Sequence, residues 1–327
     1  MKKNETKYLI IVAVVLSVAF MSCDKNEPKG EKEIEGIEGI SFENYPKVDG
    51  STSASILNTM VACKLLGIQY QWFDFLGLGE WILYPKQEDI PEQYRYSEFF
   101  GNRIMISQTH GAFMNLIDGE ADIIITHRTI SPDEKAHADD VGVALIETPI
   151  ALDAFVFIVN KNNPVKSLTV NQVQRIYMAE ITNWGEVGGH NTTIDVFTRP
   201  RNSGSEEVFR TLVMNGIEPA DFPEAPIMAM YGVFREVIFN VNGICYTFNA
   251  YKDFQARIPD KEVPKIAING ILPNNSTIKN NTYPFISKVH VAIRSNLDHN
   301  TMAYRLYEWL QTENVKPLLM ECGFIPK

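Results

Sequence analysis

Strand-like and helix-like segments alternate along most of this 327-residue chain, and that alternation restricts its fold more than any other feature. Residues 151–159 form a near-continuous apolar run, which is typical of a strand buried on both faces. Ile56, Leu57 and Met60 belong to a helical spacing of apolar residues that Gly67 ends. Because alternating strands and helices form layered sheets, the sequence predicts the α/β class.

The same patterns predict the remaining elements. Further helices are predicted at residues 111–117, 170–177, 206–214, 233–239 and 302–310, and further strands at residues 103–107, 121–126, 194–198, 244–248 and 289–294. Residues 70–100 are aromatic, acidic and interrupted by Gly77, Gly79, Pro85 and Pro91. We interpret them as an insertion with little regular structure.

A cationic and then apolar segment opens the chain. Lys2, Lys3 and Lys7 precede an apolar run at residues 8–21. This run is shorter than the roughly 20 residues that a membrane-spanning helix needs. The order of charge and hydrophobicity predicts a signal peptide over residues 1–22.

Cys23 follows directly after Phe20, Met21 and Ser22. These four residues resemble the lipobox of bacterial lipoproteins, in which the cysteine is lipidated and becomes the new N-terminus, so Cys23 is the predicted lipidation site. An ordinary buried or free cysteine is the alternative. The polar stretch that comes next predicts a flexible tether over residues 23–39.

The chain is acidic, with 40 aspartates and glutamates against 30 lysines and arginines. Loss of residues 1–22 removes three lysines and one glutamate, so the formal charge moves from −10 to −12. Nucleic acid is therefore not an expected partner. A small anion is not excluded, since directed backbone N–H groups and one or two arginines can hold it whatever the net charge.

Cysteine and histidine usage predicts neither a disulfide framework nor a metal centre. Besides Cys23 the chain holds Cys63, Cys245 and Cys322, an odd number at wide spacing. Cys63 and Cys245 lie in apolar patterns and are predicted core residues, and one bridge stays open in an oxidising compartment. The six histidines include no i, i+4 pair, so we expect no zinc site and no cofactor.

Two loops that contain hydroxyl residues and glycine precede helices. Ser51, Thr52 and Ser53 lie before the first helix, and Thr109 with Gly111 lies before the next one. The first N–H groups of a helix have no internal partner and sit at the positive end of its dipole, so an oxyanion docks there readily. Plain helix capping by the same side chains is the alternative.

A third loop contains more of the groups that bind oxyanions. Arg199 and Arg201 can form bidentate hydrogen bonds to a tetrahedral oxyanion. Ser203 and Ser205 add hydroxyls, and Gly204 between them lets the backbone approach a ligand closely. A surface turn with solvated arginines is the alternative.

His127 and Arg128 follow the predicted strand at residues 121–126. Ligands of open α/β sheets lie at the carboxyl ends of strands, so Arg128 is predicted to face the same cleft as the loops. A surface charge is the alternative for Arg128, and a core position is the alternative for His127.

Taken in order, these segments resemble the periplasmic phosphate-binding proteins of ABC-type phosphate uptake systems. The clearest stretch consists of Asn163, Pro164, Val165, Leu168, Thr169 and residues 181–189, which read Ile-Thr-Asn-Trp-Gly-Glu-Val-Gly-Gly. The third loop has the family's arginine, three residues and Ser-Gly-Thr, with Ser205 in place of the threonine. The resemblance runs through nearly the whole mature chain.

This resemblance implies a two-lobed class II periplasmic-binding-protein fold with a hinge of two crossings. Lobe one is predicted at residues 40–150 and 283–327, and lobe two at residues 151–282. A monomer would bind phosphate or a similar oxyanion between the lobes and deliver it to ABC permease subunits on the outer side of a bacterial membrane, with a lipid as its only membrane contact. The phosphate-binding residues so implied are Ser51, Thr52, Ser53, Thr109, Gly111, Arg128, Arg199, Ser203, Gly204 and Ser205.

The chain departs from some members of that family, which carry an aspartate where this sequence has His127 and Arg128. Hydrogen phosphate carries a proton and sulfate does not, so an acceptor in the site discriminates against sulfate. Neutral His127 could accept that proton, as could Asp49, Glu206 or Glu207, and the sequence leaves the choice open.

Two other classes of function also remain open. An enzyme such as a phosphatase or esterase is not expected, because we find no Gly-x-Ser-x-Gly motif, no clustered metal ligands and no assignable Ser-His-Asp order. A surface-anchored binding or sensing module that serves no transporter needs the same oxyanion site, and the insertion at residues 70–100 could contribute to it.

Overall fold

Strands and helices alternate along the protein, which confirms the predicted α/β class. The computed structural model describes residues 34–75, 80–95, 97–222 and 230–327. The strands in these ranges are β1 (Val48–Gly50), β2 (Tyr70–Phe75), β3 (Glu80–Pro85), β4 (Ile123–Thr126), β5 (Leu145–Val159), β6 (Ser167–Leu168), β7 (Asp195–Val196), β8 (Gly243–Phe248), β9 (Ala267–Ile268), β10 (Ile286–Arg294) and β11 (Ile325–Pro326). The helices there are α1 (Ser55–Leu66), α2 (Ser97–Arg103), α3 (Gln108–Asp118), α4 (Pro132–Asp140), α5 (Val170–Tyr177), α6 (Gly204–Val208), α7 (Gly232–Phe239), α8 (Asn275–Lys279), α9 (Met302–Trp309) and α10 (Lys316–Glu321). Two π-helical segments, Phe209–Met214 and Tyr251–Gln255, follow α6 and β8.

Within the described ranges, seven strands form one mixed sheet in the order β1-β4-β10-β5-β8-β7, with β11 paired to β5 beside them. β1 is parallel to β4 and β7 is parallel to β8, whereas β10 runs antiparallel to both β4 and β5. The carboxyl ends of β1 and β4 therefore lie at one edge of the sheet, where Ser51 and His127 follow.

The long strand β5 joins the two parts of this sheet. Its residues 145–154 pair with β10, and its residues 155–159 pair with β8. Residues 153–159 are all buried, so the apolar run has the doubly covered environment that the sequence predicts. Residues 36–327 form one compact unit that contains both parts of the sheet, and the predicted lobe boundaries stay a prediction.

Each part of the sheet has its own hydrophobic core. Around β8 an aromatic cluster includes Phe157, Phe209 and Tyr246, and the rings of Phe209 and Tyr246 stack with their centres 4.8 Å apart. Around β4 a smaller cluster packs α3 against the sheet through Phe113 and Leu116. Separate cores allow two lobes to move relative to each other without exposing either interior.

The prediction of an irregular insertion at residues 70–100 is wrong. β2 and β3 pair antiparallel as a hairpin, and α2 follows. Phe73 and Ile82 on one face are exposed, whereas Trp72 and Trp81 on the other face are partly covered. Because aromatic and aliphatic side chains occupy both faces, no alternation of polar and apolar residues marks these strands in the sequence.

Some other predicted bounds are corrected. Residues 103–107 do not form a strand, since Ile104 makes only an isolated bridge to Val48. α3 begins at Gln108 and α6 begins at Gly204, so both helices start earlier and closer to their loops than predicted. The helices α4, α8 and α10 were not predicted, and α4 carries almost no apolar periodicity by which to recognise it.

Cys63, Cys245 and Cys322 are buried and free in this structure, which confirms the first two as core residues. Cys23, the signal peptide and most of the tether lie outside the described residues. In the part of the chain that the structure describes, no helix has the length and apolarity needed to cross a membrane.

Candidate functional site

The first loop passes from β1 to α1 through a 3₁₀ turn, Thr52–Ala54. The backbone N–H of Ser51 donates to the carbonyl of Ile125 at 3.1 Å, which fixes the loop on β4. Ser51 and Ser53 are buried, and their hydroxyl oxygens lie 3.1 Å apart. No side chain caps the 3₁₀ turn or α1, so the capping alternative does not hold here.

The second loop leads into α3, where Thr109 is buried in the first turn. Gln108 precedes it with a φ of 62°, a left-handed conformation that is strained for a non-glycine residue and directs the start of the helix. Gly111 lies further along the same turn, where a Cβ would sit 3.0 Å from Cβ of Ser107. Gly111 therefore provides space behind the loop.

The third loop is held by its backbone and its serine. The N–H of Arg199 donates to the hydroxyl of Tyr246 at 3.0 Å, and Oγ of Ser203 accepts from the N–H of Glu206 at 3.2 Å to cap α6. Arg199 is only 7% exposed, which excludes a solvated surface position for it. Arg201, two residues away, is exposed.

The three loops meet around one cavity of about 20 Å³. It is lined by Ser51, Thr52, Ser53, Gln108, Thr109, Arg199, Ser203, Gly204, Ser205, Met230 and Phe248. A single water molecule needs about 10 to 15 Å³ by the same measure, so this is a site for a small ligand. The loops singled out in the sequence therefore come together, whereas Gly111 and Arg128 are not part of the lining.

The second and third loops approach each other most closely at Gly204. A Cβ at this position would lie 2.1 Å from Oγ1 of Thr109 and 2.9 Å from its Cβ. Such distances leave no space for any side chain, so the contact between α6 and the start of α3 requires glycine.

Arg199 supplies positive charge to the cavity. Burial lowers the pKa of its guanidinium, because the charged form is taken out of water. Glu206, whose carboxyl pKa is raised by burial, accepts from Nε of Arg210 at 2.8 Å and from the hydroxyl of Tyr246, and it does not line the cavity. An anion entering the cavity thus meets a poorly hydrated cation and several hydroxyl donors.

Arg128 is engaged behind the site. Its guanidinium makes two hydrogen bonds to the carboxylate of Glu134, at 2.7 and 2.6 Å, and lies 5.1 Å from the ring centre of Phe113. A direct contact with an anion in the cavity would need this ion pair to open. Binding of the anion by Arg128 therefore stays a prediction that the geometry does not favour.

A possible group of metal ligands lies close to this ion pair. Among the described residues, His110, Asp133 and Glu134 bring potential ligand atoms within 4.8 Å of one another. Both carboxylate oxygens of Glu134 already accept from Arg128, whose positive charge opposes a second cation. These residues fit a metal poorly.

His127 lies behind Ser53 and not in the cavity itself. Its Nδ1 is 2.8 Å from Oγ of Ser53, and its Nε2 is 3.3 Å from Oδ2 of Asp153. No Ser-His-Asp order is recognisable in the sequence, yet the fold brings these three residues into one line.

Sequence reasoning missed three of the lining residues. Gln108 stands next to Thr109, and Phe248 is the last residue of β8, so the rule that ligands lie at strand ends could have identified Phe248. Met230 follows no motif or period, and nothing in the sequence marks it.

Comparison with known proteins places the chain in a family. Residues 106–314 match the family model of the PBP superfamily domain, which is more than half of the chain. The chain therefore belongs to the PBP superfamily, which confirms the resemblance read from its loops.

Two curated relatives illustrate that membership. Protein SphX of Synechococcus elongatus is 24% identical over 261 residues, which cover 76% of this chain and 76% of that protein. Phosphate-binding protein PstS of Bacillus subtilis is 24% identical over 209 residues, or 63% of this chain and 65% of that protein. The matched region thus spans slightly less than two thirds of the length of this second relative.

Two solved structures share the architecture. A putative phosphate ABC transporter substrate-binding protein with bound phosphate from Clostridium perfringens superposes with a TM-score of 0.62 at 20% identity, over 86% of this chain and 98% of that one. An ABC-type phosphate transport receptor from Vibrio cholerae gives 0.57 at 22% identity, over 86% and 98%. At such identities the likeness establishes the fold, and it confirms the predicted two-lobed architecture.

Proposed function

We propose that this protein is an extracytoplasmic solute-binding protein that binds inorganic phosphate, or a similar tetrahedral oxyanion, and delivers it to an ABC permease. The observation that carries the proposal is the convergence of three loops on a cavity of about 20 Å³ beside a buried arginine, Arg199. Hydroxyl groups, helix N-termini and a poorly hydrated guanidinium are the chemistry that a small oxyanion requires. The relatives named for phosphate binding and phosphate transport support the choice of ligand.

In this proposal the anion is held by lining residues from all three loops, namely Ser51, Thr52, Ser53, Thr109, Arg199, Ser203, Gly204 and Ser205. Gly111 and Arg128 act from behind the cavity. Residues 40–150 with 283–327 move as one lobe and residues 151–282 as the other. One of the two crossings of the hinge lies in β5, because this strand pairs with β10 in one part of the sheet and with β8 in the other.

Export and anchoring belong to the same proposal. Residues 1–22 direct the chain out of the cytoplasm, and a lipid on Cys23 retains a monomer at the outer side of the membrane. The motif around Cys23 and the polar tether support this assignment. Mass spectrometry of the mature N-terminus checks it, because an unmodified Cys23 contradicts lipidation.

Two rival functions use the same cavity. A sensing module that serves no transporter needs the same grip on the anion, and release to a permease in reconstituted vesicles separates it from a transport protein. A hydrolase would draw support from the contact between Ser53 and His127. Turnover of a phosphate ester by the purified protein would decide in favour of a hydrolase.

Two arginine variants test the binding site. Arg199→Ala should weaken phosphate binding by about 2 to 5 kcal/mol, because it removes a buried charge that faces the anion. Arg201→Ala is the matched control, since Arg201 is exposed and its loss should change the affinity by less than about threefold. Isothermal titration of the mature protein with phosphate measures both.

The same titration can overturn the proposal. Equal behaviour of the two variants would contradict the assignment of Arg199 as the anion-binding arginine. Absence of heat with phosphate, together with binding of sulfate, molybdate or a phosphonate, would contradict phosphate as the ligand.

A further inference from the structure

A line of buried polar groups ends at the cavity. Asp153, His127 and Ser53 are 1%, 3% and 3% exposed. The ring of His127 is covered by Phe248 and Phe324, with ring centres 4.3 and 5.3 Å away. Water therefore competes little for the hydrogen bonds of these groups, and their direction is set by the protein.

The partners of Asp153 decide that direction. Its Oδ1 accepts from the N–H groups of Ala154 and Ala250, at 2.7 and 3.0 Å. Its Oδ2 lies 3.3 Å from Nε2 of His127, although the two groups are not aligned well enough for a hydrogen bond. Neither atom forms a hydrogen bond with any other residue in the described ranges. A carboxylate oxygen only accepts, so Nε2 carries a proton, and in the neutral ring Nδ1 is then left as an acceptor.

Ser53 must then be the donor in its contact with His127. With its hydrogen directed at Nδ1, 2.8 Å away, its oxygen presents lone pairs to Ser51 and to the cavity. A lone pair in this place accepts a hydrogen bond from a P–OH group and repels an oxygen that carries no proton. Ser203 differs, because its oxygen accepts from a backbone N–H and its hydrogen can donate either to the anion or to Oγ of Ser205, 3.5 Å away.

We propose that Asp153 and His127 are positioning residues that hold Ser53 as a hydrogen-bond acceptor, so that the cavity selects oxyanions that carry a proton. The inference rests on the proposed function and specifies its ligand class. Hydrogen phosphate and hydrogen arsenate have the required proton, and sulfate does not. Binding sulfate leaves the Ser53 lone pair without a donor in a dry site, which is costly.

The other acceptors left open by the sequence are engaged elsewhere. Asp49 accepts from two backbone N–H groups and from the side chain of Asn115. Both carboxylate oxygens of Glu206 accept from neighbouring side chains. Neither residue lines the cavity, nor does Glu207, whereas Ser53 does.

Asp153→Asn reverses the proposed hydrogen-bond direction with almost no change of shape. The amide oxygen keeps the two backbone hydrogen bonds, and the amide nitrogen donates to Nε2 of His127 and moves the ring proton to Nδ1. Ser53 then accepts from His127 and donates to the ligand. In calorimetric titrations of the full chain at one pH, the ratio of phosphate to sulfate affinity should fall at least about tenfold. Arsenate should follow phosphate.

Asp49→Asn is the control, since it changes an equally buried carboxylate that does not face His127. It should lower thermal stability and leave the phosphate-to-sulfate ratio unchanged. Ring ¹⁵N NMR of wild-type protein reports the tautomer of His127 directly, so the inference stays testable if Asp153→Asn fails to fold.

The outcomes separate the inference from the proposed function. A wild-type protein that binds neither phosphate nor sulfate overturns both. A wild-type protein that binds phosphate, combined with an unchanged ratio in Asp153→Asn or a proton on Nδ1 of His127, overturns the inference alone.

Discussion

His290 on β10 is a buried titratable residue outside the cavity. Burial lowers the pKa of its ring to about 4, and the positive charge of Lys288 acts in the same direction. Its Nδ1 has no hydrogen-bond partner among the residues that the structure describes. The folded protein therefore keeps this ring neutral at pH values where the unfolded chain, with an ordinary value of 6.5, already protonates it.

This difference predicts a loss of stability in acid. The folded pKa lies below the unfolded one, so the contribution of His290 is fully present above pH 6.5 and is lost as the pH falls toward about 4. His290→Gln should reduce the drop in unfolding temperature between pH 7 and pH 5. His190→Gln, at an exposed histidine, should leave that drop unchanged. If His290→Gln retains the full wild-type drop, another group is responsible.

The hairpin of β2 and β3 contacts Arg257, a residue of the other predicted lobe. The guanidinium of Arg257 lies between two indole rings, 4.1 Å from the centre of Trp72 and 4.7 Å from that of Trp81. Arg257 also has a φ of 51°, so its backbone accepts strain to reach this position. The insertion thus connects residues 40–150 to residues 151–282 outside the cavity.

We expect this contact to slow the release of the anion. Arg257→Gln removes the charge and should raise the phosphate dissociation rate about threefold or more, because each exposed cation–π contact contributes about 0.5 to 1 kcal/mol. Arg257→Lys is the matched variant, since it keeps the charge and the same backbone strain, and its rate should lie in between. Stopped-flow measurement of phosphate release tests this expectation. Equal dissociation rates in the wild-type protein, Arg257→Gln and Arg257→Lys would show that this contact does not slow release.

The elements also show how far the sequence could predict this protein. α1 and the part of β5 at residues 151–159 were predictable from their apolar patterns, whereas the less buried first part of β5, residues 145–150, was not predicted. The hairpin was not, since Trp72 and Phe73 differ in burial but not in polarity. Loop residues such as Ser203 and Thr109 follow from local motifs. The link from Ser53 through His127 to Asp153 appears only in the fold, because it joins the segments after β1 and β4 to a residue of β5.

Two contacts beside the cavity join the two predicted lobes. Nε2 of Gln255 donates to the carbonyl of Ser53 at 2.6 Å, and Gly204 packs against Thr109. Each contact joins residues 40–150 to residues 151–282, so we expect both to break when the two predicted lobes open. We therefore expect closure of the two predicted lobes to depend on the close approach at Gly204, even though this residue contributes no side chain.

Gly204→Ala should oppose closure while leaving each lobe folded. The new Cβ would lie 2.1 Å from Oγ1 of Thr109, and relieving such overlap costs about 1 to 3 kcal/mol. Phosphate affinity should therefore fall about tenfold. The unfolding temperature without phosphate should change little. Thr109→Ala supplies the decisive comparison. By itself it removes a hydroxyl from the cavity and should weaken binding, but combined with Gly204→Ala it removes the nearest clash and should restore part of the lost affinity. Additive losses in the double variant, measured by isothermal titration, would show that steric contact at Gly204 does not control closure.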